Sequence, residues 1–161
     1  MRPMRLTTSR KRAALELELS YGAHRPWVPN ARQLAEWATG ALRPRKNPWV
    51  LSIRVVGCAR SRSLNWRFRR RDKPTNVLSF EGAGTAPDGR CFIGELVICA
   101  PVVASEARAQ AKRIEAHWAH MTVHGVLHLL GSDHERAAEA EKMERREVQI
   151  LDRLGFSNPY R

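Results

Sequence analysis

Residues 117–130, HWAHMTVHGVLHLL, place apolar side chains most of the way round a helix that turns ~100° per residue. A helix with no polar face has nothing to offer water, so the rest of the chain must fold around it. The same stretch nevertheless carries His117, His120, His124 and His128, four of the six histidines in the sequence. Polar rings brought into a core must find hydrogen-bond partners or a metal ion. Gly131 then provides a left-handed exit from the helix.

The flanking segments specify what surrounds that helix. Residues 14–20, ALELELS, alternate apolar and polar side chains with the period of a half-buried strand. Asn30 is placed to cap a helix over 31–42 that turns Leu34, Trp37, Ala38 and Ala41 to one side. Residues 49–56, WVLSIRVV, read as a strand closed by Gly57. Ser61 caps a short helix running to about Arg70, with Leu64 and Phe68 one turn apart and Phe68 expected in the core. Strands follow at 76–81 and 91–99, separated by a Gly/Pro/Asp turn region over 82–90. After Pro101 an Ala-rich helix is expected over 102–116, then the apolar helix, then a charged amphipathic helix over 136–154. The order βαβαββαα predicts an α+β fold, a single domain over 1–161 with a small mixed sheet packed against helices and a buried central helix.

The composition narrows the function classes. A hydrophobic fraction of 43% suits a globular domain, and no apolar run approaches the ~18–20 residues of a membrane span. No secretory signal is expected, although the Arg- and Lys-rich residues 1–13 share the bias of a mitochondrial transit peptide. Cys58, Cys91 and Cys99 form no CxxC pair and read as buried, reduced thiols of a cytoplasmic protein. The net charge of +12 is distributed unevenly: residues 1–75 carry 18 Lys/Arg against 4 Asp/Glu, and residues 76–161 carry 10 against 12. A basic half of this kind favours a polyanionic partner, nucleic acid before membrane.

Chemistry concentrates in residues 124–134, HGVLHLLGSDH. His124 and His128 are four apart and project from one face of the helix. The turn at Gly131 brings His134 back towards them, so three imidazoles can hold a single zinc-like ion and leave one tetrahedral position open, the mark of a hydrolytic centre. His117 lies seven residues before His124, ~10 Å along the axis, too far to share an ion with His128. His117 and His120 therefore line the cleft, support the ligands from behind, or serve the core. The spacing H-x3-H-x2-G-x2-H is also that of metzincin peptidases, which place a general-base Glu directly after the first His, where this chain has Gly125.

A second informative stretch, RSRSLNWRFRRRDKPTNVLSF over 60–80, gathers Arg60, Arg62, Arg67, Arg69, Arg70, Arg71 and Lys73 around a short helix and turn, interleaved with Trp66 and Phe68. Planar guanidinium groups suit phosphate, and aromatic rings suit unpaired bases.

Together the motifs DKPTNVLSF (72–80), the strand around 93–99, HWAHMTVHGVLHLLGSDH (117–134) and the ending from Leu154-Gly155-Phe156 to Pro159-Tyr160 resemble the YbeY family, from about residue 50 to the C-terminus. The resemblance implies a metalloprotease-like fold and a single-strand-specific, zinc-dependent endoribonuclease. Its setting would be 16S rRNA 3′-end maturation and ribosome quality control in the cytoplasm, with RNA and the small ribosomal subunit and its assembly factors as partners. It assigns one Zn2+ to His124, His128 and His134. It puts Arg69 in the catalytic cleft, after Phe68 where Tyr is usual, and leaves Arg62, Arg67, Arg69, Arg70, Arg71 and Lys73 to bind RNA. Ser132 stands where an aromatic is usual, Glu81 where Pro is usual, and Glu95 where Asp is common. Two other classes stay open on the residues themselves: an RNA-binding ribosome-assembly factor whose zinc is structural, and a metallopeptidase on the same ligand spacing.

Overall fold

The computed structural model describes residues 3–7, 14–131 and 136–161. The elements run β1 (Met4–Thr7), β2 (Leu15–Tyr21), α1 (Ala31–Gly40), β3 (Trp49–Val56), α2 (Cys58–Arg69), β4 (Val77–Thr85) and β5 (Cys91–Cys99). Three helices close the chain: α3 (Ala100–Ala109), α4 (Ile114–Leu129) and α5 (Ala137–Arg153). The result is the expected α+β fold. One sheet of order β1-β2-β3-β5-β4 has parallel β2, β3 and β5, with β1 and β4 antiparallel at its two edges.

Period-two alternation decides which sheet face is dry. Leu15, Leu17 and Leu19 of β2, Leu51, Ile53 and Val55 of β3, and Leu96 and Ile98 of β5 are all 0–2% exposed. They form one cluster with Leu34 and Trp37 of α1 and Trp118, Val123, Val126 and Leu127 of α4. Each such side chain withdrawn from water stabilises the fold by roughly 1.5–3 kcal/mol before entropy is counted. The alternate residues Glu16, Glu18, Ser52 and Arg54 face the other way and stay half-buried, Arg54 bonding Glu95 at 2.6 Å across the ladder. On that second face α2 covers only a small cluster, Val56, Leu64, Leu78, Val97 and Cys99. The apolar helix α4 lies at the centre, touching β4, β5, α1, α3 and α5.

Several boundaries differ from the sequence reading, each for a local reason. Asn30 caps α1 as expected, in a reciprocal box with Gln33 at 2.9 and 3.0 Å. Helix α2, however, begins at Cys58 behind Gly57. Ser61 does not cap it: its hydroxyl donates to the Thr75 carbonyl at 3.0 Å and accepts from the Thr75 amide at 2.9 Å, tying the helix to the turn that follows. The single helix expected over 102–116 is instead broken after Ala109. Ala111 takes a left-handed φ of 52°, and the Lys112 amide closes on the Ala107 carbonyl at 2.8 Å. Pro101 sits in the first turn of α3, where its missing N–H costs nothing. Strand β4 runs on to Thr85, so the turn region shrinks to 86–90. The edge strand β1 carried no alternation signal and was not expected. Phe68 is corrected from core to surface, at 56% exposed, and Cys58 is likewise exposed. Among the described residues, no helix is long and apolar enough to cross a membrane.

Two glycines govern how closely the central helix approaches the sheet. Gly94 has φ +145°, and a Cβ there would lie 2.1 Å from the Phe80 carbonyl oxygen and 2.9 Å from Leu129 Cδ2. It coincides with a register shift on both sides of β5. Gly125 of α4 faces the sheet, and a Cβ there would lie 2.7 Å from Leu96 Cδ2. Because Leu96 is fully buried, it has nowhere to retreat. Gly125→Val should therefore lower unfolding free energy by about 1–3 kcal/mol through overpacking, read as an earlier urea midpoint at an unchanged slope.

Candidate metal centre

On α4, residues 117–127 are buried except for His124, and His128 follows it as a second accessible imidazole. The two rings lie with centroids 4.7 Å apart and planes at 70°, as expected for side chains one helical turn apart on one face. Within residues 117–128 the helix is thus buried except at these two imidazoles. His134 lies outside the described residues, so its place relative to this pair is not described.

Behind the pair stands Glu147 of α5, a carboxylate with no exposed surface. Nδ1 of His124 donates to its Oε1. Its Oε2 accepts from the Tyr160 hydroxyl and from Nε2 of His120, the latter at 3.2 Å. His120 Nε2 also lies 3.3 Å from the Tyr160 oxygen. Burial alone would raise the Glu147 pKa. The hydrogen bonds from His120, His124 and Tyr160 outweigh it and bring the pKa down to about 2. The Tyr160 hydroxyl is pushed the other way, by burial and by the adjacent carboxylate. With the His124 Nδ1 proton committed to Glu147, the lone pair of that ring is carried by Nε2, the tautomer a metal ligand needs.

His117 is placed apart from this group. Its Nε2 bonds Glu106 of α3 at 2.7 Å, and Glu106 also accepts from Asn76 Nδ2 at 3.1 and 3.2 Å, so His117 braces α4 against α3 and the start of β4. The first of these bonds is the main reason the Glu106 pKa falls. His120, in contrast, joins the site. Among the described residues, His120, His124 and Glu147 form one group able to hold a metal ion, with ligand atoms within 4.8 Å of one another.

Glu147 was missed in the sequence, although a signal was there. Met143, Glu147, Ile150 and Leu151 occupy one face of α5, and the other three are buried apolar residues. A lone acid at such a position must be paired inside the fold.

The basic segment lies on α2 and the turn after it, over the sheet face opposite α4. Helix α2 ends at Arg70, which takes a left-handed conformation (φ 57°, ψ 32°), its amide bonding the Trp66 carbonyl at 3.0 Å. Arg67, Arg69, Arg70, Arg71 and Lys73 are exposed here. Arg69 has its pKa lowered by burial and then by the charge of Arg71, yet a guanidinium remains a cation at neutral pH. Arg62 is turned elsewhere: it grips Asp72 through two bonds of 2.7 and 2.9 Å, which depresses the Asp72 pKa and raises its own. Asn65 Nδ2 donates to the Lys73 carbonyl at 2.7 Å, so the turn is fixed from inside the helix.

The family model described as endoribonuclease YbeY matches residues 25–155. The fold is also similar to the solution structure of TM1509 from Thermotoga maritima. That match has a TM-score of 0.52 at 22% identity and covers 90% of this chain and 99% of that one.

The depressed Glu147 pKa gives a stability signature with a definite sign. Stabilisation by this group is complete above the ordinary glutamate range near 4.5 and is lost as pH falls towards about 2. Glu147→Gln should cost stability at pH 7 by about 3 kcal/mol and flatten the acid limb between those pH values, measured by denaturant titration across pH.

Proposed function

Since the chain belongs to the YbeY endoribonuclease family, we propose that it is a metal-dependent hydrolase that cuts single-stranded RNA during 16S rRNA 3′-end maturation and ribosome quality control in the cytoplasm. The small ribosomal subunit and its assembly factors are its partners in this reading. The observation that carries the hydrolase reading is the accessible pair His124 and His128 on an otherwise buried helix, with the first ring's tautomer set by a buried carboxylate. These donors fit zinc, a borderline ion at home with imidazole. His124, His128 and His134 would hold it.

When bound, such an ion supplies Lewis acidity for phosphodiester hydrolysis. The chain's own residues do the rest. Glu147 keeps His124 aligned. Arg69 sits at the end of α2, where a guanidinium stabilises the charge that develops on the phosphate oxygens. Arg67, Arg70, Arg71 and Lys73 hold the backbone and supply salt-dependent affinity. Arg62 takes part less directly, by clamping the turn through Asp72. A peptidase reading loses support from Gly125, which faces Leu96 rather than solvent, so no general base could be mounted there.

A second reading has its own observation. The group His120, His124 and Glu147 could enclose an ion out of reach of substrate, which suits an RNA-binding assembly factor with a structural metal. Single substitutions separate the two. In the enzyme reading His128→Ala loses both the metal and the cleavage of single-stranded RNA, while His120→Ala keeps some of each. In the structural reading His128→Ala keeps the metal, His120→Ala loses it, and no preparation cuts RNA. Metal content by mass spectrometry and a gel assay on single-stranded RNA, duplex RNA and DNA read both. Arg69→Ala should retain the metal and slow cleavage by about 10²–10³-fold; full activity in that variant removes Arg69 from the reaction.

A further inference from the structure

The end of α2 that carries Arg69 also presents two aromatic residues that the fold leaves open. Trp66 is 50% exposed and Phe68 56%, whereas Trp37, Trp49 and Trp118 are buried in the core. Neither ring stands alone. The Arg70 guanidinium, four residues on, lies over Trp66 at 5.7 Å. The Arg67 guanidinium lies over Phe68 at 5.4 Å. Phe68 in turn meets Phe80 of β4 edge to face, with centroids 4.8 Å apart. Phe80 packs with Leu64 and Leu78 in the small cluster that α2 covers. A row of rings thus leads from the outer surface of α2 onto the edge strand β4.

The charge around the row selects its occupant. Asp72 is the one acidic residue in 58–80, and Arg62 already holds it. Arg67, Arg69, Arg70, Arg71 and Lys73 form a cationic border around flat apolar surfaces, and none of them has an ion-pair partner among the described residues. A polymer that alternates planar apolar groups with anionic links matches both features. We propose that Trp66 and Phe68 form a stacking platform for the unpaired bases of a single-stranded polynucleotide whose phosphates are held by Arg67, Arg70, Arg71 and Lys73. The proposal rests on the RNA-cleavage reading above and adds to it the element that tells a single strand from a duplex, since bases stacked inside a duplex cannot lie on these rings.

The test is a binding measurement on the whole protein by fluorescence anisotropy. The probes are 2′-O-methyl oligoadenylate, which cannot be cut through the 2′ oxygen, of about 12 nucleotides, an abasic strand of equal length, and a duplex. Trp66→Leu should weaken binding of the base-bearing strand about tenfold and leave the abasic strand unchanged. Trp66→Phe should restore most of the loss. The salt dependence should stay as in the wild type for Trp66→Leu and become shallower by about one unit for Arg70→Ala. Phe68 leans on Phe80, so Phe68→Leu is interpreted only beside an unchanged melting temperature. The platform is overturned if Trp66→Leu binds the oligoadenylate as tightly as the wild type, or if the wild type binds duplex and single strand alike. Such a protein that still cuts RNA leaves the enzyme reading standing; one that neither binds nor cuts any RNA removes both.

Discussion

The arrangement depends on one buried carboxylate. Glu147 is withdrawn from water and accepts hydrogen bonds from two residues of α4 and one near the end of the chain. An unpaired charge at that depth would cost several kcal/mol, so the carboxylate is tolerable only with its three donors in place. The requirement runs in both directions. His120 and His124 must lie one turn apart facing α5, and Tyr160 must return across the helix pair. Satisfying one acid thus fixes the rotation of α4, the orientation of the His124 ring, and the path of the last residues.

Much of this could be read from the sequence. Strands read at 14–20, 49–56 and 91–99 followed from alternation or continuous apolar runs between turn residues, the first found one residue later, and α4 from an apolar surface that closes on itself. These signals are strong because burial enforces them residue by residue. The misplaced features were those governed by partners remote in sequence. Phe68 looks like core beside Leu64, but its position on α2 overhangs the sheet edge, where Phe80 supports only one side of it. Ser61 looks like a cap, but its hydroxyl is claimed by Thr75. Ala111 gives no hint of a left-handed turn, because that conformation is imposed by the bond that closes α3.

The same contrast holds in the site. His124 and His128 were legible because a helix fixes the relation of residues four apart. Glu147 was not singled out, since its partners lie 23 and 27 residues before it and 13 after it. What could have identified it is negative evidence: an acid on the apolar stripe of α5. The division of the basic segment was equally hidden. Seven cations look equivalent in a string, yet one is committed to Asp72 and two lie over aromatic rings.

The irregularity in β4 has a consequence for how anything long could lie along this edge of the sheet. Pairing with β5 runs regularly from Val77 to Glu81, then resumes only at Gly84, with Gly82 and Ala83 unmatched. An edge strand of even pitch invites another backbone to extend the sheet, and proteases commonly hold peptides in that manner. Here the repeat fails within a few residues, so amide-to-amide zippering cannot propagate past Glu81. A backbone laid against this edge would find regular pitch only along Val77–Glu81 and would have to part from it at the bulge.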